Sequence, residues 1–217
     1  MKLLIKRIAA IVPAYNEENN IRTVLRVLRQ SHELSEIIVV DDGSTDQTGK
    51  AALEEGVRVV RQENQGKAGA MATGANNTSA DILFFSDADL LGLTPGHIAD
   101  VIAPVRDGSA GMTVGMRDRG PVGIWMMEHI LPIIGGERAI SRDIFLNIVQ
   151  GNTARRFGIE ILMNAYCKKN RIPVRLVRMQ GVGHIIKEVR YGFWTGFIAR
   201  VRMIGEILKA KLFVLFH

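Results

Sequence analysis

Short apolar runs alternate with polar, helix-periodic stretches through the first half of the chain. Ile8 to Val12, Ile37 to Val40, Val57 to Val60, Ile82 to Phe85 and Ala110 to Met116 span four to seven residues each, a length that suits buried strands. Between them, Ile21, Val24, Leu25 and Leu28 recur at helical spacing. Asn16, followed by Glu17 and Glu18, reads as the cap and acidic first turn of that helix. Gln47 to Glu55 is a helical stretch closed by Gly56, a small-residue helix runs to about Asn77, and Thr94-Pro95 opens a helix to about Arg106. Strand and helix repeated at this spacing predict an α/β fold: a Rossmann-like, mostly parallel sheet with right-handed crossovers, flanked by helices.

The second half is less regular. Ile124 to Ile134 predicts an apolar helix, Gly135 to Arg142 a basic flexible loop, and Asp143 to Val149 and Gly158 to Lys169 two further helices. Ile159, Leu162, Met163 and Tyr166 share one face of the last of these. Pro173 to Met179 alternates imperfectly, as an edge strand does, and Gly181-Val182-Gly183-His184 follows it. From Tyr191 to His217, Phe193, Trp194, Phe197, Ile198, Val201, Ile204, Ile207 and Leu208 form a broad apolar stripe interspersed with Arg200, Arg202, Lys209 and Lys211. Such an amphipathic helix suits a peripheral membrane surface, and it equally suits packing on the sheet or on a second subunit as a homodimer. The division expected is a domain over residues 1–184, with halves meeting near residue 120, and a helical segment over 185–217.

Bulk composition narrows the partners. With 217 residues and 47% hydrophobic content, the chain can bury a full core. A net charge of +6 suits an anionic ligand, an acidic membrane surface or nucleic acid. The basic residues are dispersed and no stacking-rich motif accompanies them, which argues against nucleic acid. The single Cys167 excludes an internal disulfide and reads as core filler, consistent with a reducing, cytoplasmic setting. No signal peptide is visible, and no uncharged apolar stretch is long enough to span a bilayer.

The candidate chemistry sits where strands end. Asp87-Ala88-Asp89 follows the Ile82 to Phe85 strand directly, and alternate carboxylates there lie at the sheet edge where open α/β sheets bind ligands. Two hard oxygen donors suit Mg²⁺ or Mn²⁺; the plainer alternative is that they cap a turn. Pro13 to Glu17 and Asp41 to Asp46 end two other strands at the same edge. Carboxylates gathered there would repel one another without a cation, which favours a metal or sugar site. Asn64-Gln65-Gly66-Lys67 is a Gly-rich turn whose lysine can neutralise phosphate, although its spacing is not that of a P-loop.

Taken together and in order, Ile11-Val12-Pro13-Ala14-Tyr15-Asn16-Glu17, Val39-Val40-Asp41-Asp42-Gly43-Ser44-Thr45-Asp46, Asn64-Gln65-Gly66-Lys67 and Asp87-Ala88-Asp89-Leu90 resemble the family 2 glycosyltransferases of the GT-A fold. The resemblance covers about the first 120 residues. It implies a UDP- or GDP-sugar donor, with Pro13, Tyr15 and Glu17 under the nucleoside and Asp41 or Asp42 holding the base or ribose. Lys67 would lie near the nucleotide, and Asp87, Ala88 and Asp89 at the donor. Asp87 and Asp89 would bind Mg²⁺ or Mn²⁺, with His184 as a third ligand. Met116-Arg117 and Gly136-Glu137-Arg138-Ala139 look like the acceptor region of two relatives. One is the polyprenyl-phosphate sugar synthases of cell-envelope biosynthesis, at the inner membrane face; the other is the glucosyl-3-phosphoglycerate synthase type. In both, arginines such as Arg117 and Arg138 would meet an acceptor phosphate. The chain departs from the usual inverting pattern in having no clear Glu-Asp pair. Glu160 is the candidate catalytic base beside Asp89, with Glu137 second. A sugar-nucleotide-binding module without catalysis is the non-enzyme alternative.

Overall fold

The computed structural model describes residues 6–117, 136–150 and 158–184. Its elements are β1 (Ile8–Ala14), α1 (Ile21–Gln30), β2 (Glu36–Asp41), α2 (Thr48–Glu54), β3 (Arg58–Arg61), α3 (Gly66–Asn76), β4 (Ile82–Phe85), β5 (Leu90–Leu91), α4 (Pro95–Arg106), β6 (Met112–Arg117), β7 (Arg138–Ser141), α5 (Arg142–Val149), α6 (Ile159–Lys169), β8 (Val174–Met179) and β9 (Gly183–His184). Seven strands form one sheet in the order β3-β2-β1-β4-β7-β6-β8, and β5 pairs with β9 in a separate two-stranded sheet. In the large sheet β7 alone runs against its neighbours.

Period-two alternation sorts side chains to the two faces of the sheet. Ile8, Ala10 and Val12 of β1 join Val39 and Phe84 against α1, α2 and α4. Ala9 and Ile11 join Ile38, Val40, Leu83 and Phe85 against α3, α5 and α6. The sheet is therefore covered on both sides, as a parallel sheet must be. The small-residue composition of α3 has a direct cause: a Cβ at Gly74 would lie 2.4 Å from Ile11 Cγ2, so only glycine lets the helix sit this close to β1. On the same face, Phe85 and Phe145 pack with ring centroids 4.7 Å apart.

Two expectations need correction. Gly135 to Arg142 is not a flexible loop where it is described: Arg138–Ser141 is β7, the strand between β4 and β6. Its pattern hides a strand because a fully buried Arg138 stands where an apolar residue is expected. Asn16 does not cap α1, which begins at Ile21 with Asn20 as its N-cap. Asn16 instead takes a left-handed conformation, φ 55°, in the loop after β1. The helices expected over 124–134 and beyond residue 190 lie outside the described residues.

Candidate active site

The site is assembled at the C-terminal ends of β1, β2, β4 and β6. The first two loops clasp each other. The Asn16 N–H donates to Ser44 Oγ at 3.0 Å, the Thr45 N–H to Asn16 Oδ1 at 2.8 Å and the Glu17 N–H to Thr48 Oγ1 at 2.7 Å. Asp42 Oδ1 accepts from Gln62 Nε2 at 2.7 Å and from the Gln65 N–H at 2.8 Å, tying the β2 loop to the Gly-rich turn. Gly43, at φ 77°, turns this loop past Asn64.

These loops frame a cleft of about 470 Å³. It is lined by residues expected at the donor: Pro13, Tyr15, Glu17, Asp42, Lys67, Asp87, Ala88 and Asp89. Arg117 closes it, and Ala14 and Ala70 complete the wall; neither alanine was singled out in the sequence, since a small apolar residue carries no chemical mark. Tyr15 is half exposed, a flat surface at the mouth.

A chain of alternating charge crosses the back of the cleft. Lys67 Nζ lies 2.8 Å from both Asp87 Oδ1 and Glu160 Oε1. Arg117 Nη2 reaches Asp87 Oδ2 at 2.6 Å and Glu137 Oε1 at 2.7 Å, while its Nε donates to Glu137 Oε2 at 2.8 Å. The order is Glu160, Lys67, Asp87, Arg117, Glu137. Burial would raise the Asp87 pKa, but Lys67 and Arg117 outweigh it and hold the carboxyl well below its usual range. Burial would likewise raise Glu160, and Lys67 again reverses the sign. Glu137 is pushed up by burial, against the pull of Arg117. Burial alone would lower the Lys67 pKa, whereas Asp87 and Glu160 raise it, so the ammonium is firmly charged.

Gly136 is part of this arrangement. A Cβ there would lie 2.1 Å from Asp87 Oδ2 and 2.5 Å from its Cγ, so the carboxylate occupies the space a side chain would need. In the sequence, the signal for this close approach is the Gly-Gly pair ahead of Glu137.

Other expected residues stand elsewhere. Asp41 is 1% exposed and does not line the cleft. Its Oδ1 accepts the Ser44 N–H at 2.9 Å and its Oδ2 sits 3.5 Å from Arg61 Nη1, so of the two aspartates it is Asp42 that faces the cleft. Glu137 and Arg138 are fully buried behind the wall rather than on it. Arg138 Nη1 donates to Asn164 Oδ1 at 2.8 Å. Burial draws this guanidinium down to about 10, still charged at neutral pH. Of the carboxylates expected at this edge, Glu17, Asp42, Asp87 and Asp89 line the cleft. Asp41, Asp42 and Asp46 accept local hydrogen bonds, and among the described residues no three His, Cys, Asp or Glu side chains converge as a metal cage. Cys167 is buried core with its thiol pushed up to about 11 by burial, as its filler role requires.

A divalent cation remains compatible with what is present. Asp89 lines the cleft and makes no hydrogen bond or ion pair among the described residues, leaving hard oxygen donors free. The backbone of His184 pairs with Leu90, the residue after Asp89, so residues 94 positions apart in sequence meet at one edge. That junction is tight: a Cβ at Gly92, φ 73°, would lie 2.2 Å from the Gly181 carbonyl oxygen.

The doubly covered, mostly parallel sheet with a cleft at its carboxyl edge defines a doubly wound α/β protein. Residues 9–166 match the family described as Glycosyl transferase family 2, and the chain belongs to that family. It is 37% identical over 137 residues to a UDP-N-acetylglucosamine–dolichyl-phosphate N-acetylglucosaminyltransferase of Methanococcus voltae, covering 54% of each chain. It is 31% identical over 143 residues to glucosyl-3-phosphoglycerate synthase of Mycobacterium tuberculosis, covering 61% of this chain and 44% of that one. The chain thus spans about half the length of these curated relatives. A crystal structure of the Mycobacterium tuberculosis synthase in complex with Mn²⁺, UDP-glucose and phosphoglyceric acid superposes with a TM-score of 0.72 at 24% identity, over 94% of this chain and 79% of that one. That likeness establishes the fold, the GT-A arrangement expected from the four motifs.

Proposed function

We propose that this chain transfers a sugar from a nucleoside-diphosphate sugar to a phosphate-bearing acceptor, with polyprenyl phosphate as the preferred class. The observation that carries the reading is the cleft itself, where an aromatic mouth, a lysine, an arginine and an unengaged aspartate meet at one sheet edge. Tyr15 and Pro13 form the floor under the nucleoside and Asp42 its rim. Lys67 faces the diphosphate. Asp89 would hold Mg²⁺ or Mn²⁺, with Asp87 beside it and His184 close in the chain path. The cation would stabilise the negative charge that develops on the departing diphosphate. The sugar carbon becomes oxocarbenium-like as that bond breaks. Arg117, on the cleft wall, is the candidate ligand of the acceptor phosphate, and Glu160 is the candidate base. A phosphate acceptor is already ionised at neutral pH, so the demand on that base is small.

A second reading, a small acidic acceptor such as 3-phosphoglycerate, is supported by the likeness to the synthase. A sugar-nucleotide-binding module without turnover is the third. The basic, aromatic stretch beyond residue 190 supports peripheral contact with the inner membrane face, or a homodimer.

The test is a panel of UDP- and GDP-sugars with Mg²⁺ or Mn²⁺, scored by release of nucleoside diphosphate with each acceptor class. Turnover is expected to require the cation and to be lost in Asp89→Ala with the fold kept; full activity in excess chelator would overturn the metal role. Binding to anionic vesicles that weakens with salt and is lost on truncation after Val189 favours the lipid acceptor. Failure to bind, with a change of oligomeric state on truncation, favours the soluble one.

A further inference from the structure

Asp87 carries no free oxygen: Oδ1 is held by Lys67 and Oδ2 by Arg117. Asp89, two residues away, has no protein partner among the described residues. The two aspartates of one motif are therefore in opposite electrostatic states. The two cations on Asp87 also differ. Arg117 is pinned by two hydrogen bonds to the fully buried Glu137, and its side chain is only 10% exposed. Lys67 is a single ammonium on a flexible stem, 38% exposed, and it bridges Asp87 to Glu160.

We infer that Lys67 is an internal counter-ion that an incoming nucleoside diphosphate displaces from Asp87 and Glu160. Lys67 exchanges carboxylate oxygens for phosphate oxygens, and Asp87 then gains a free oxygen next to Asp89. Without diphosphate, Asp87 is neutralised and only Asp89 is open to a divalent cation. Without the cation, the diphosphate must compete with two carboxylates for Lys67. Each ligand therefore makes the other bind more tightly, and linkage makes the effect reciprocal. The same exchange removes the cation from Glu160, so the candidate base is released only once the donor is in place. Arg117 stays on Glu137 throughout. This inference rests on the nucleotide-sugar reading above.

The test is calorimetric titration of the 217-residue chain with Mn²⁺ alone, with UDP or GDP alone, and with each in the presence of the other. In the wild type, the diphosphate is expected to tighten Mn²⁺ binding by roughly ten- to a hundredfold, within the usual range of coupling between sites. In Lys67→Gln, Mn²⁺ alone is expected to bind about five- to tenfold more tightly than to the wild type, and the coupling to shrink by the same factor. Lys67→Met repeats the measurement with an apolar stem should the first variant not fold. A general charge effect would tighten Mn²⁺ equally with and without diphosphate and leave the coupling unchanged. That result overturns the inference while leaving the glycosyltransferase reading intact. A wild-type chain that binds neither UDP nor GDP overturns both.

Discussion

Replacing Gly136 by alanine tests whether the charge chain is as tightly built as it looks. Gly136 is not in a left-handed conformation, so alanine costs nothing in backbone strain. The whole effect must come from one methyl group placed 2.1 Å from Asp87 Oδ2 and 2.6 Å from Oδ1. Ordinary contact needs more than an ångström of extra room, and the carboxylate is the part that has to give. Moving it breaks or stretches the pairs to Arg117 and Lys67, at 2.6 and 2.8 Å. A charge-assisted hydrogen bond contributes about 1.5–3 kcal/mol, and the Lys67 pair is discounted because its side chain is partly exposed. Overpacking adds about 1–3 kcal/mol. Because the shifted carboxylate recovers some solvation, we expect a loss of about 3 kcal/mol in folding stability. For a chain of this size that lowers Tm by roughly 6–12 °C. Mn²⁺-dependent nucleotide binding should weaken at the same time. The control is Gly136→Ala combined with Asp87→Ala, where the obstructing carboxylate is gone: the added methyl should then cost less than about 1 kcal/mol. Wild-type stability and nucleotide binding in Gly136→Ala, or an equal cost in both backgrounds, would refute the packing described.

The remaining predictions concern charge. Arg117→Ala should raise the acceptor KM about ten- to a hundredfold and the donor KM far less, the cost of one charge-assisted phosphate contact; equal changes in steady-state assays would remove Arg117 from the acceptor site. Arg138→Ala, in contrast, should lower the urea midpoint, because it empties a fully buried position and removes the hydrogen bond to Asn164 Oδ1. Asp87 and Glu160 have folded-state pKa values below their ordinary ones, so their contribution is present above about pH 4 and is lost as pH falls through the folded values. Glu137 is shifted upward, so its contribution runs the other way and fades as pH rises through its folded value. Urea midpoints measured from pH 3 to 7 should therefore fall more steeply towards acid in the wild type than in Lys67→Gln; parallel curves would show that Lys67 does not hold these carboxylates.

The sequence by itself determined the layered α/β plan and the sheet edge that carries the cleft. Apolar runs of strand length and 3.6-residue periods are local properties, set by burial on the two faces of a sheet. The motif residues at strand ends fall together because parallel strands bring all their carboxyl ends to one side. Pro13, Tyr15, Glu17, Asp42, Lys67, Asp87 and Asp89 were therefore legible as one site. Three things needed the tertiary structure. First, Arg138–Ser141 is an inner strand, and its identity depends on partners for a buried arginine that come from α6 rather than from its own segment. Second, the role of each carboxylate depends on which donors face it. Asp41 and Asp42 are adjacent in sequence yet diverge, one into the loop and towards Arg61, the other to the cleft rim, because successive side chains leave a strand in opposite directions. Third, the pairing of Lys67 with Glu160, and of Arg117 with Glu137 and Asp87, joins elements separated by 20 to 93 residues. A charge written in sequence has a sign but no neighbour. Only folding gives it one, and here the neighbours separate an aspartate locked between two cations from one left open beside it.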